Sequence, residues 1–482
     1  MYDTETEIFR YRLVERHVLE RLETGAFTPG QKLPSLRRLG ARLGVGLATV
    51  QHAYTELERK GVIEARPRSG FFVRQGLGLP APPAHRPEAP SSPQVIARGK
   101  LIGTVLESVG DRALLPLGVV CPDERLMPVK ALARIMAAIL RSRPGRAAGY
   151  EAVPGNAELR RRIAFRHMEQ GVTCRPEDVI VTCGAMEALS IALRCLTRPG
   201  DNVLIQSPTY YCFLQLLETL GLRAIEVSSD PERGIDPADV AAALERFAIR
   251  AAIFSPNFNN PDGSLMPEAA KAEIAALLAE REVPLVEDDV SGELHFAGPR
   301  PGTFKAHDRK GLVLHCSSFS KTLTPGFRVG WMLPGRFLEK ALEVKATTNV
   351  CCATPTQLAL AEYLAGGQYE RHLTRLRAAL AGTMEAMRQH VHAWFPEGTR
   401  VTRPRGGLVL WVELPGDADG VALFFKAREE GIGIAPGRIF TPQDHCNNFI
   451  RLSCGLPWDE RLAGGLRRLG ELAGELSGAT AG

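Results

Sequence analysis

The chain has 482 residues, more than one typical domain holds, and its 45% hydrophobic and 23% charged residues exclude a disordered or fibrous polypeptide. Its net charge is +5, yet residues 1–74 carry 13 Lys and Arg against 9 Asp and Glu, so +4 lies in the first sixth of the chain and +1 in the other 408 residues. No apolar run approaches the ~18 residues of a membrane span and MYDTETEIFRYR lacks the apolar core of a secretion signal, which leaves a cytosolic protein whose N-terminus carries the electrostatic footprint of a polyanion binder.

In chain order, Val14, Val18 and Leu22 repeat at helical spacing. Leu36, Leu39 and Leu43 do so after Pro34-Ser35, and Val50, Ala53, Tyr54 and Leu57 follow Gly44 to Gly46. Three short amphipathic helices with a glycine-containing turn between the last two predict a helix-turn-helix. Val62 to Arg66 and Phe71 to Arg74 read as two strands around Pro67-Arg68-Ser69-Gly70, a wing. Residues 75–105 are expected to link this head, residues 1–74, to the rest. Within them QGLGLPAPPAHRPEAPSSPQVIARGK holds six prolines in 26 residues, a composition that favours an extended tether reaching roughly 80 Å at ~3.1 Å per residue.

Beyond the tether, apolar runs such as VIVTCG, NVLIQSP, AAIFSPN, VPLVEDD and LVLHCSS alternate with helical stretches such as residues 267–281. That alternation predicts an α/β domain over residues 106–482: a mostly parallel sheet over about 151–350, with a smaller α+β part built from about 106–150 and 351–480. The ten cysteines form no Cys-x-x-Cys pair and have no histidine at zinc spacing, so they read as reduced core residues and no metal site is expected. The most informative stretch is SSFSKTLTPGFRVGW at 317–331. Its lysine, Lys321, is able to attach an aldehyde covalently, and Ser318, Ser320 and Arg328 offer hydroxyl donors and a guanidinium fork to a phosphate.

This stretch resembles the lysine motif of fold-type I aminotransferases, which depend on pyridoxal 5′-phosphate (PLP), and the likeness runs from about Leu115 to Leu472. The resemblance implies a Schiff base on Lys321 and assigns further roles in order along the chain. Tyr150, in GYEAVPGNAELR, would reach the neighbouring subunit's phosphate. In TCGAMEAL the backbone amides around Gly184, Ala185 and Met186 would meet the phosphate at a helix start. Tyr210, in SPTYY, would stack on the cofactor, and Asn260, in NNPDG, would bond its phenolic oxygen. Asp288, in VEDDVSGEL, would pair with the pyridine nitrogen, and Arg451, in IRLSCG, would clamp a ligand carboxylate. Ser291 stands where the family carries a tyrosine close to the cofactor, a departure that removes a phenolic donor and makes transamination an open question.

The N-terminal run from Tyr11 to Val73 resembles, end to end, the winged helix-turn-helix of GntR-type transcription regulators. The likeness implies a phosphate contact by Arg37, major-groove contacts by Gly46, Leu47, Ala48, Thr49 and Gln51, and a minor-groove contact by Arg68 and Gly70 at the wing tip. Leu47 occupies a place where arginine or another polar residue is common, which shifts base reading toward Thr49, Gln51 and thymine-methyl contact. Head, tether and aminotransferase-like domain in this order resemble the MocR subfamily. That resemblance implies a bacterial regulator that binds a double-stranded operator as a head-to-tail homodimer and responds to PLP or an amino compound. A working aminotransferase with a vestigial or autoregulatory head is the alternative.

Overall fold

The computed structural model describes residues 4–23, 26–28, 30–59, 62–66, 69–74, 82–83, 93–96, 99–108, 110–111, 113–443 and 445–477. In the head, helices Thr4–Glu23, Leu36–Leu43 and Leu47–Arg59 pack around Val14, Val18, Leu39, Val50, Ala53, Tyr54 and Leu57. Ser35 caps the second helix by accepting the Arg38 N–H at 3.3 Å, and Gly44 ends it in the left-handed conformation at φ 66°. Gly40 sets the closeness of the turn, because a Cβ there would stand 2.8 Å from the Val45 carbonyl oxygen. Strands Ile63–Arg66 and Gly70–Val73 pair antiparallel, and the Tyr54 ring meets Phe71 edge-on while its hydroxyl donates to the Pro34 carbonyl at 2.9 Å.

The apolar runs form one nine-stranded sheet. Its main path runs Gln94–Val95, Arg223–Asp230, Asn202–Ser207, Ala251–Phe254, Leu285–Asp288, Val313–Ser318, Gly330–Leu333, Ile180–Thr182. The central pairings are parallel, while Gly330–Leu333 runs against both of its neighbours. Covered on both faces by helices such as Ala185–Leu196 and Glu268–Glu280, these strands are buried along nearly their whole length rather than on alternate residues. A second sheet, Arg400–Val401, Val409–Glu413, Phe449–Ser453 and Ala435–Pro436, is antiparallel and lies under the helices Gln368–Trp394 and Glu460–Leu476.

Two divisions differ from the sequence reading. Gln94–Val95 pairs with Arg223 and Ala224, and the helix Gly99–Leu106 sinks Ile102 and Val105 into the small-domain core, so the last part of the expected linker is structured. The helices Val129–Ser142 and Thr354–Ala365 pack with Ala157–Glu169 on the large sheet's flank through Leu132, Leu159, Ile163 and Leu360, which puts both with the large domain. Their apolar faces complete one another, and the sequence separation of more than 200 residues hides it. All ten cysteines are free, five of them buried, and no described helix is long and apolar enough to cross a membrane.

Candidate cofactor and DNA-binding sites

Parallel strands deliver their functional residues at their carboxyl ends. Strand Leu285–Asp288 ends in Asp288, Val313–Ser318 runs on into Lys321, and Ile180–Thr182 turns through Gly184 into the helix Ala185–Leu196. Gly184 has φ 81° and carries no side chain into this turn, leaving the amides of Ala185 and Met186 at a helix N-terminus, where an anion is favoured. A Cβ at Gly330, on the adjacent strand, would stand 2.6 Å from the Gly184 carbonyl carbon and 2.9 Å from the Ala185 nitrogen. Arg328 reaches across the same turn, donating from Nη2 to the Cys183 carbonyl at 3.0 Å and from Nη1 to Pro325 at 3.3 Å. From behind, the fully buried Lys345 donates to Glu187 at 3.0 Å and anchors the helix's first turn. Ser318 accepts the Ser320 N–H at 3.2 Å, so both hydroxyl-bearing residues belong to the Lys321 turn. The turn is thus a cradle of amides, hydroxyls and one guanidinium that matches a phosphate.

Lys321 is half-buried and donates to the Val120 carbonyl, and burial holds its ammonium below the usual lysine range, raising the share of free amine. Asp288 is half-buried, and its carboxylate accepts the Val290 N–H at 3.3 Å. Burial, with Asp289 adding repulsion, pushes its pKa up to about 7 against the opposing Val290 bond. A protonated ring nitrogen placed against such a carboxylate supplies the positive charge that favours its ionised form. Arg451 is fully buried, donating to Asn260 Oδ1 at 3.0 Å and to the Gly118 carbonyl, while its Nε has no hydrogen-bond partner among the described residues. Phe440 lies under its guanidinium at 5.1 Å, and burial pulls its pKa down. Tyr210 packs against Tyr211 at 4.8 Å and Phe213 at 5.5 Å. A phosphate cradle, a desolvated lysine, an aspartate with a raised pKa and an arginine with a spare donor fit PLP with an anionic ligand beside it.

Ser291, half-buried, opens the short 3-10 turn Gly292–Leu294 just beyond Asp288. Tyr150 is 88% exposed and is not brought to the other site residues within this chain. Sequence reasoning missed Gly118 and Val120, whose carbonyls receive Arg451 and Lys321, because backbone acceptors carry no residue signature. It also missed Cys121 and Cys212, whose thiol pKa values burial raises while the nearby Lys321 charge opposes the rise.

On the head, Arg37, Gly46, Leu47, Ala48, Gln51 and Gly70 are exposed, with Leu47 open at 47%. Thr49 departs from expectation: it is 8% exposed and lies beside the core position Val50, because the first turn of the recognition helix points it inward. Arg68 lies outside the described residues.

Asp288 gives a testable pH dependence. Its pKa of about 7 exceeds the unfolded value of about 4, so its contribution to stability is present below about pH 4 and is lost as pH rises through 7. A cationic partner restores it. The rise in Tm on adding PLP is therefore larger near pH 8 than near pH 5, and Asp288→Asn flattens the difference. Equal pH dependence in both proteins, measured by thermal melting, would remove Asp288 from this role.

Comparison with known proteins agrees with both halves. Residues 10–73 match the bacterial regulatory proteins of the gntR family, and residues 120–466 match aminotransferase class I and II. The chain is 36% identical to the uncharacterized HTH-type transcriptional regulator YdcR of Escherichia coli, over 97% of this chain and 99% of that protein. It is 28% identical to the HTH-type transcriptional regulator TauR of Rhodobacter capsulatus over 90% of each. Among solved structures, the α-aminoadipate aminotransferase LysN of Thermus thermophilus, complexed with N-(5′-phosphopyridoxyl)-L-leucine, superposes with a TM-score of 0.72 at 29% identity, covering 80% of this chain and 100% of that one.

Proposed function

The chain belongs to the aminotransferase class I and II family and, with its gntR-type head, to the MocR subfamily of transcription regulators; on that premise we propose that its PLP site is a sensor whose occupancy alters operator binding. The observation that carries the reading is the joining, in one polypeptide, of an exposed recognition-helix face at Leu47, Ala48 and Gln51 to a site holding Lys321, Asp288, Asn260 and Arg451. When bound, PLP supplies an aldehyde carbon reactive toward amines and an electron-withdrawing ring. Lys321 offers an amine whose affinity for a proton is lowered by burial. Ser318, Ser320, Arg328 and the Gly184–Met186 amides would hold the phosphate, Asp288 would pair with the ring nitrogen and favour its protonated form, and Asn260 would bond the phenolic oxygen. Arg451, its fork already set by Asn260 and Gly118, recognises the carboxylate of an amino compound. The exposed Tyr150 fits a phosphate in a second copy of the chain, which supports a head-to-tail homodimer in the cytoplasm.

The presence of the full lysine, aspartate, asparagine and arginine set favours a second reading, slow aminotransferase turnover, which Ser291 weakens by removing a phenolic donor. Turnover of amino donors measured beside operator affinity separates the two. On the head, phosphate contacts give sequence-independent affinity. Arg37→Ala therefore weakens binding to all DNA and lowers the salt slope by the share of about one phosphate, whereas Gln51→Ala mainly relaxes base preference. Titrations on specific and random duplexes check this, and equal effects of both substitutions on both DNAs would reject the placement of the recognition helix.

A further inference from the structure

Away from the PLP site, the large domain carries an open groove of about 970 Å³ between the start of the helix Val129–Ser142 and that of Gln368–Trp394. Lys130 and Arg134 line one wall and Arg371 and Arg375 the other, each pair spaced i, i+4 so that both members share one helix face. All four are exposed, and none forms an ion pair among the described residues. Arg125, at the rim, is by contrast held by Asp123 at 2.8 Å and Asp459 at 3.6 Å, and Glu124 is the one acidic residue in the lining among those described. Residues 75–482 carry a net charge of only +1, so four uncompensated cations in one groove are a local excess on a nearly neutral body.

We propose that this groove is a second, sequence-independent contact for the sugar–phosphate backbone of DNA. The cations that line it are all exposed, which gives a small anion no dehydrated enclosure. A polyelectrolyte needs none, because exposed cations release its condensed counterions. Cations on both walls of an open groove suit a continuous strand, and the head already brings a duplex to the molecule. The inference rests on the reading of this chain as a DNA-binding regulator and adds a contact outside the head.

The test uses the full-length, PLP-loaded chain and random-sequence duplexes, one of about 10 base pairs, a single helical turn, and one several turns long. For Arg371→Gln with Arg375→Gln, the slope of log affinity against log salt on the long duplex falls by about 0.9 for each phosphate that is no longer neutralised. On the short duplex it is unchanged, as are PLP absorbance and Tm. Arg134→Glu, on the opposite wall, lowers the long-duplex slope in the same way. An unchanged long-duplex slope, or equal reductions on both duplexes, overturns the proposal. So does competition by millimolar ATP for the groove without any long-duplex effect, which would assign it to a free nucleotide. Because Arg37→Ala reports on the head through the short duplex, failure of the head's role and failure of the groove's role are read separately.

Discussion

Replacing Lys321 by alanine abolishes the covalent attachment of PLP: after borohydride treatment, the wild-type chain gains the mass of the reduced cofactor and the Lys321→Ala chain gains none. The effect is all-or-none because Lys321 is the residue whose amine is desolvated beside Asp288 and Arg451, while Lys345, also buried near the phosphate turn, is committed to Glu187 and Asn349. Weak binding of PLP persists in the variant through Ser318, Ser320, Arg328 and the amides at the start of the helix Ala185–Leu196. It is detected as cofactor absorbance that dialysis removes. A Lys321→Ala chain that still gains the adduct mass would move the attachment to another amine.

Glu293→Ala lowers stability by about 3–5 kcal/mol, the range for removing one partner from a buried ionic cluster. Glu293 follows the Asp288 turn and accepts from Arg166 at 3.0 Å, Arg300 at 3.2 Å, Arg377 at 3.2 Å and Gln170 at 3.1 Å, and its backbone carbonyl takes a further bond from Arg377 at 2.6 Å. Burial alone would raise its pKa, but Arg300 and Arg166 hold it down at about 2. Without the carboxylate, three guanidiniums with side chains 13–20% exposed stay clustered with two carboxylates between them, Glu370 on Arg166 and Asp289 on Arg300, and Arg377 is left without an ion-pair partner among the described residues. The sign of the pH effect follows from the depressed value: this stabilisation is present above the unfolded pKa of about 4.3 and is lost as pH falls toward 2. Urea melts at neutral and acidic pH check both parts, and the difference between wild type and Glu293→Ala narrows at the lower pH. A loss under about 1 kcal/mol at neutral pH would show that solvent compensates the arginines.

The head was legible almost whole, because its core residues repeat at helical spacing and its glycines mark the turn. Only the facing of Thr49 escaped, although it stands four residues before the core position Ala53 and so on the buried face of its helix. The large sheet was legible from its apolar runs, and the motif residues Gly184, Asp288, Lys321 and Arg328 lie at the strand ends where parallel sheets place their ligands. What stayed hidden depends on contacts distant in sequence. The strand Gln94–Val95 lies inside a proline-rich stretch and gains its order from Arg223–Asp230. Val129–Ser142 joins the large domain through Thr354–Ala365, and the partners of Glu293 are scattered from Arg166 to Arg377. No local pattern announces such pairings.

PLP chemistry and DNA binding, on this account, share one free energy. A ligand shifts a binding equilibrium only through its differential affinity for the two states, and the coupling between sites is reciprocal. With the head and the PLP site on separate cores, the shift acts on how two heads are presented together rather than on either winged helix. Titration of the full-length chain with single and paired half-site duplexes, with and without PLP and an amine, reads this directly. The paired site changes in affinity by about 5–150-fold, the equivalent of about 1–3 kcal/mol, while the single half-site stays nearly constant. Identical responses on the two DNAs would contradict the account.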